Sequence, residues 1–441
     1  MVQQTMAAMG DAPVPSWIRD AGDDPALRAD FLALCGFGGR LAGSPGEAQA
    51  MEWAVKRLGA IAPGVKLLQV PYDGWRCLGS ALHLLDAKGQ PVQALRCRPL
   101  LRSASTEATG LVAPVVDLGE GRIEDFEAAG DSVRGKVVLV RHEYPFSPRH
   151  LHRRRKYDMA VKAGAAGFLI ANPLPGAGVL SGSSGRPVGG FGIPAAYIDN
   201  ASGEALAAAA RQGLAHVRLQ IAGEEMEGAR AGVAVLDIPG GTGQTIVLSA
   251  HLDGHDTGCS ALDNATGLSV VLAAARVLAQ HVSQATHGLR VCFFSAEEWA
   301  LAGSARYLAD MPQAEREALA LNINLDTVGG DHHLTALISG FAHLVPWMEA
   351  CARLSGVPAA THLPLMPNSD HANFAAHGIP ALRLVAGFDR PDSGVRHILS
   401  EDDQPGVIQE SELRQALRLT CAMGWTALHA SRQTLAQWRV R

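Results

Sequence analysis

From Gln244 onward the chain alternates short apolar runs with longer runs of helical period. "QTIVLSAHL" (244–252) precedes "GLSVVLAAARVLAQHV" (267–282), and "LRVCFFSA" (289–296) precedes "WALAGSARYLAD" (299–310). "LNINLDTVG" (321–329) and "LTALISG" (334–340) follow as two further apolar runs. Apolar runs of about 4–8 residues predict buried strands, and longer runs with a period near 3.6 predict helices. Their alternation predicts an α/β fold, a mainly parallel mixed sheet with helices on both faces.

Two other textures precede this one. Residues 20–104 open with a helical run, "GEAQAMEWAVKRLGAI", and strand-like "KLLQVPYDGW" and "SALHLLDA". They read as the start of the same α/β domain. Residues 105–225 are β-rich, with "GLVAPVVDLG", "GKVVLVRH", "AGFLIAN" and "IPAAYID" around one helical stretch, "KYDMAVKAGA". That zone is expected to be an inserted unit, with residues 226–441 carrying the main part of the first domain.

Composition narrows the function only modestly. The chain has 441 residues, 47% hydrophobic and 18% charged, and a formal net charge of −5. Nothing in that balance calls for nucleic acid or an anionic membrane as partner. The basic run "RHLHRRRK" (149–156) reads as a helix start with a solvated face. Seven scattered cysteines without a C-x-x-C pair argue against a disulfide scaffold or a cysteine-rich zinc module. The N-terminus lacks a basic start and an apolar segment, and no later stretch reads as long enough to span a membrane. The expectation is a cytoplasmic protein, or a secreted or periplasmic one if an export signal has been trimmed.

In a sheet of this kind ligands collect at the carboxyl ends of the strands, and there the chain places its histidines and carboxylates. His251 and Asp253 end "QTIVLSAHLD", Asp263 lies in the loop before the next helix, Glu297 and Glu298 end "LRVCFFSAEE", and Asp326 ends "LNINLD". Asn368, Asp370 and His371 lie in "NSDHANF", expected to open a helix, and His397 follows "ALRLVAG". Singly, each has an ordinary structural explanation, such as Asp263 as a helix cap. Together they crowd carboxylates at one sheet edge, where unpaired charge is costly and a cation relieves it. One His and two Asp can hold one divalent ion; a shared Asp, a Glu and a second His can hold another. Mixed imidazole and carboxylate donors without thiolate suit catalytic zinc.

"HLD", "ALDNATG", "SAEEWALAGS", "NLDTVG", "SDHANF" and the late His397 occur in the order found in the co-catalytic zinc aminopeptidases, family 28 of the metallopeptidases, which the chain resembles. The resemblance implies two zinc ions bridged by Asp263. His251 and Asp326 would complete one site, Glu298 and His397 the other. It makes Glu297 the general base and Asp253 the residue that orients the His251 ring, and it implies a cis Asp263–Asn264 peptide. "VRGKVVLVRH", "AVKAGAAGFLIAN" and "IPAAYID" resemble a protease-associated domain, commonly inserted in this family over the active-site cleft. Some relatives place an oxyanion-steadying tyrosine before "SDH"; "LPLMPNSDH" has none, which leaves Asn368 or His371 as donor. Asn368, Asp370 and His371 are the candidate substrate-binding set.

The implied function is an exopeptidase acting on short peptides, read first as an aminopeptidase. The short spacing from His251 to Asp263 looks closest to a branch with carboxypeptidase-like dipeptidases, so that alternative stays open. A glutaminyl-cyclase-type transferase and a non-catalytic binding protein are the further alternatives, and the complete ligand set speaks against both. Oligomeric state is not legible.

Overall fold

The computed structural model describes residues 15–440. The extreme N-terminus, part of the stretch read for an export signal, lies outside the described residues. The chain forms two compact units. One takes the chain up to Tyr72, then Arg230–Ile398 and Asp402 onward; the other takes Asp73–Ala229 and Leu399–Glu401.

The first unit is built on an eight-stranded mixed sheet. Its strands are β1 (Lys66–Pro71), β2 (Arg230–Ile238), β3 (Thr245–His251), β4 (Gly288–Phe294), β5 (Leu319–Leu325), β6 (Leu334–Leu337), β7 (Ala359–His362) and β8 (Ala381–Ala386). Their spatial order is β1-β2-β4-β3-β5-β8-β6-β7. The central four, β4, β3, β5 and β8, run parallel. Every residue of β4, β5 and β8 is buried, which is why these segments read as unbroken apolar runs.

The helices that matter for the site are α1 (Pro45–Gly59), α2 (Thr266–Leu278), α3 (Ala302–Asp310), α4 (His371–Ala376) and α5 (Glu410–Leu428). Helix α3 is shorter than the sequence suggests, because Ala300 and Leu301 take left-handed φ values of 69° and 62° and keep Trp299–Leu301 out of the helix. Helix α2 packs against β3 on one side and α5 on the other and is apolar nearly all round. With the turns that flank it, the run Ala261–His281 is long and apolar enough by length and composition to cross a membrane, contrary to the sequence reading, and 89% of its apolar window is buried inside the molecule. It forms the core of this unit.

The second unit has its own eight-stranded sheet. Its centre, Leu111–Asp117, Val137–Arg141, Gly167–Ala171 and Ala195–Ile198, is parallel and matches the four β-runs of the sequence. The unit begins at Asp73, whereas the sequence reading starts it at 105. The cause is a long-range pairing: strand Gly74–Leu85 pairs antiparallel with His216–Met226 along its length. The basic run also differs from expectation. Helix Arg153–Lys162 buries Arg153 and Lys156, and the Lys156 ammonium donates to the carbonyls of Glu120 and Arg141 at 2.5 and 3.0 Å. Those carbonyls and the Glu143 carboxylate, 3.4 Å away, satisfy that charge in place of solvent.

Candidate metal centre

Strand register brings the site together. In the β3–β4 ladder His251 is level with Phe294, so β3 and the Ser295–Glu298 turn leave the sheet at the same edge. In the β3–β5 ladder Ser249 is level with Asn324, so two residues further along Asp326 comes beside His251. Ala296, just before Glu297, and Thr327, just after Asp326, take left-handed φ values of 60° and 62°. Such values in non-glycine residues need support from their surroundings and are concentrated at functional sites. A buried polar ladder, Asn322 to Ser249 to Asn324 to Ser369, ties β3 and β5 to the residue before Asp370.

The loop between β3 and α2 is fixed from beneath. The fully buried Arg40 guanidinium donates to the carbonyls of Leu34, Leu252, Cys259 and Ser260 at 2.9–3.0 Å. Asp403 accepts the backbone N–H of Leu262 at 2.6 Å and of Asp263 at 3.4 Å. The Asn264 side chain spans the start of α2 and the end of β5, donating to the Leu325 carbonyl and accepting from Gly267 and Thr327. Gly267 must lack a side chain, because a Cβ there would lie 2.4 Å from the Leu325 carbonyl oxygen. The Asp263–Asn264 peptide is cis. Asp263 does not cap α2, whose N-cap is Ala265; it sits in the turn that precedes the helix.

Two buried groups of metal-type donors result. His251, Glu297 and Asp326 form one, and His255, Asp263 and Glu298 the other; within each group the donor atoms lie within 4.8 Å of one another. Asp263 reaches both, since its Oδ1 is 2.9 Å from His251 Nε2, which is 3.5 Å from Asp326 Oδ1. Donors bound about 2.0–2.2 Å from one tetrahedral zinc lie roughly 3–3.5 Å apart, so these residues fit the ion.

Electrostatics point the same way. Burial lowers the basicity of His251, but the carboxylates of Asp326 and Glu297 outweigh it and lift the ring well above its ordinary range. Burial raises Glu297 far above a normal carboxyl, with Glu298 and Asp326 adding to the effect against the pull of His251. Asp326 is held low: burial opposes ionisation, but Arg383, 3.1 Å away, and His251 prevail. This is a region dense in negative charge with few cations of its own.

Five of the ten residues named from sequence, His251, Asp263, Glu297, Glu298 and Asp326, fall in these two donor groups. Asp253 stands beside them with a different division of labour. Its backbone carbonyl holds His251 Nδ1 at 2.9 Å, while its carboxylate stands 3.7 Å from that nitrogen and accepts the N–H groups of Glu297 and Glu298 at 3.0 and 3.2 Å. Asp370 and His371 are fully buried at the start of α4. Asp370 accepts from Ser304 Oγ and is raised to about 7 by burial, while burial and Arg383 bring His371 down to about 3. Asn368 offers its carbonyl to Arg383 at 3.0 Å. His397 belongs to neither donor group found among the described residues. Its side chain is 29% exposed, with Nδ1 3.9 Å from Asp402 and Nε2 accepting from Arg396 at 3.4 Å. The residue that sequence reasoning missed is His255, two positions after Asp253 in the same loop.

A mainly parallel sheet that gathers imidazole and carboxylate donors at the carboxyl ends of its strands defines the class: a hydrolase fold with a metal centre. Residues 234–423 match the model of peptidase family M28 and residues 108–206 that of the PA domain, so the chain carries an M28 metallopeptidase domain with an inserted PA domain. Aminopeptidase YwaD of Bacillus subtilis is 27% identical over 340 residues, 72% of this chain and 69% of that protein. A probable leucine aminopeptidase 2 of Aspergillus fumigatus is 26% identical over 301 residues, 65% of this chain and 57% of that protein. The zinc aminopeptidase BSAP from Bacillus subtilis superposes with a TM-score of 0.71 at 23% identity, covering 95% of this chain and 97% of that one. A peptidase M28 precursor from Shewanella amazonensis gives 0.73 at 22% identity, covering 98% and 97%. These structures share the fold.

Proposed function

We propose that the protein is a zinc-dependent aminopeptidase of short peptides with two zinc ions bridged by Asp263. The observation that carries this reading is the position of Asp263, close to His251 on one side and grouped with His255 and Glu298 on the other. Zinc at such a centre supplies Lewis acidity toward the peptide carbonyl and makes water acidic near neutral pH. His251 and Asp326 would hold one ion with Asp263, and Glu298 would hold the other with it.

The remaining chemistry belongs to the chain. The Glu297 carboxylate takes the proton of the attacking water and returns it to the departing amine. Its raised proton affinity suits both steps. Asp253 holds the backbone of both glutamates, which keeps the proton carrier and the metal ligand pointing to separate tasks. The relatives named as aminopeptidases support amino-end specificity.

The test offers the zinc-loaded protein free, N-acetylated and C-amidated di- to tetrapeptides and identifies products by mass. An aminopeptidase cleaves free and amidated peptides and spares acetylated ones. Cleavage that survives acetylation and is lost on amidation would make it a carboxypeptidase.

A further inference from the structure

We propose that Cys35 and Cys259 form a redox modification site, which hydrogen peroxide oxidises to a disulfide that staples helix Leu27–Gly36 to the loop leading from β3 to Asp263. The inference is independent of how many metal ions the site holds. Both cysteines are buried free thiols, 7% and 8% exposed, and a hydrogen bond joins them, the Cys35 S–H donating to the Cys259 sulfur.

Their surroundings hold them face to face. Nη1 of the buried Arg40 guanidinium donates both to the Leu34 carbonyl at 3.0 Å and to the Cys259 carbonyl at 2.9 Å, so the two main chains lie on either side of a single nitrogen. Asp403 pins Cys259 further: its carbonyl accepts the Cys259 N–H at 3.1 Å and lies 3.4 Å from the sulfur. At the other end the Cys35 carbonyl accepts the Gly38 N–H at 3.1 Å. A disulfide demands close approach of both residues, and this contact supplies it.

The two thiols are not equivalent. The hydrogen bond from Cys35 brings the Cys259 thiol below its ordinary value against the effect of burial, with the Arg40 cation helping. The same bond, together with burial, pushes Cys35 up. Cys259 is therefore the nucleophile. Its thiolate attacks one peroxide oxygen, the O–O bond breaks, and the departing hydroxide leaves as water with the proton that Cys259 gave up, which makes Cys259 a sulfenic acid. The Cys35 sulfur then displaces the sulfenic oxygen, and its proton leaves with that oxygen as a second water. Two thiols and one peroxide become one disulfide and two waters. Burial raises Cys292 and Cys351 to about 12, which keeps them inert by comparison. A bond between positions so far apart in sequence restricts the unfolded chain and so favours the folded one.

The experiment treats the full folded chain with hydrogen peroxide, blocks the remaining thiols and maps linked peptides by mass, for the wild type, Cys35→Ser and Cys259→Ser. A Cys35–Cys259 linkage, short of two hydrogens and reversed by dithiothreitol, is expected before Cys292 and Cys351 react. In Cys35→Ser the arrested Cys259 sulfenic acid is expected to take a dimedone label. The denaturant midpoint of the wild type is expected to rise on oxidation and to return on reduction, a shift that neither variant shows. Exposed Cys77 reports the oxidant dose. A folded wild type that oxidises Cys77 and leaves Cys35 and Cys259 as thiols would overturn the proposal, as would a linkage that forms only in denaturant or one that leaves the midpoint unmoved.

Discussion

Glu297 and Glu298 are neighbours in sequence, yet their carboxylates join different donor groups, Glu297 with His251 and Asp326 and Glu298 with His255 and Asp263. The Asp253 carboxylate makes this possible by accepting both backbone N–H groups at the turn. The two glutamates should therefore fail differently. Glu297→Gln is expected to keep its metal and lose about 10²–10⁴ in kcat, the contribution of a general base. Glu298→Gln is expected to lose occupancy of one ion. Steady-state kinetics beside metal analysis distinguishes them; full activity and full metal in both variants would contradict the assignment.

Asp253 acts through others, so its replacement should show in metal binding as well as rate. Asp253→Ala removes the acceptor of two N–H groups and loosens both glutamates. Metal affinity is expected to fall by about 10–100-fold, as for other partners that orient ligands. Competition with a chromophoric chelator measures this, and unchanged affinity would count against the role.

Arg40 predicts a stability effect. Arg40→Met leaves four buried carbonyls without their donor and is expected to destabilise by on the order of 3 kcal/mol. Denaturant unfolding of the metal-free chain reads this directly. A change within about 0.5 kcal/mol, the range of ordinary surface substitutions, would show that the guanidinium is not what holds the loop.

The second unit predicts acid sensitivity. Burial, with the nearby cations Lys156 and Arg153, brings His150 down to about 3 from an ordinary 6.5, and His142 is lowered by burial, His150 and Arg153. A lowered folded value means that the unfolded chain binds more protons between about pH 3 and 6.5, so stability falls as pH drops through that window. Hydrogen exchange of peptides covering residues 137–162 should show protection lost on acidification. His142→Gln with His150→Gln should blunt that loss, and an equal pH slope in the double variant would contradict it.

Much of the site was legible because the metal-type residues end apolar strands. β3, β4 and β5 are buried runs, and parallel register then brings His251, Glu297 and Asp326 to one edge. Three things were hidden for one physical reason, contact between residues distant in sequence. His255 carries no signal in the sequence, because its support comes from Gly39 and Arg40, more than 200 positions earlier. Asp253 looked like a ring partner because its hydrogen bonds to the amides of Glu297 and Glu298 arise only when β3 and β4 pair. Strand Gly74–Leu85 looked like part of the first domain because its partner strand begins only at His216.

Anomalous diffraction at the zinc absorption edge from crystals of the zinc-loaded chain tests the central claim most directly. Two peaks about 3.5–4 Å apart are predicted, as in two-metal hydrolases, with Asp263 between them. His251 and Asp326 should flank one, and Glu298 the other. A single peak, or two peaks without Asp263 between them, would contradict the account.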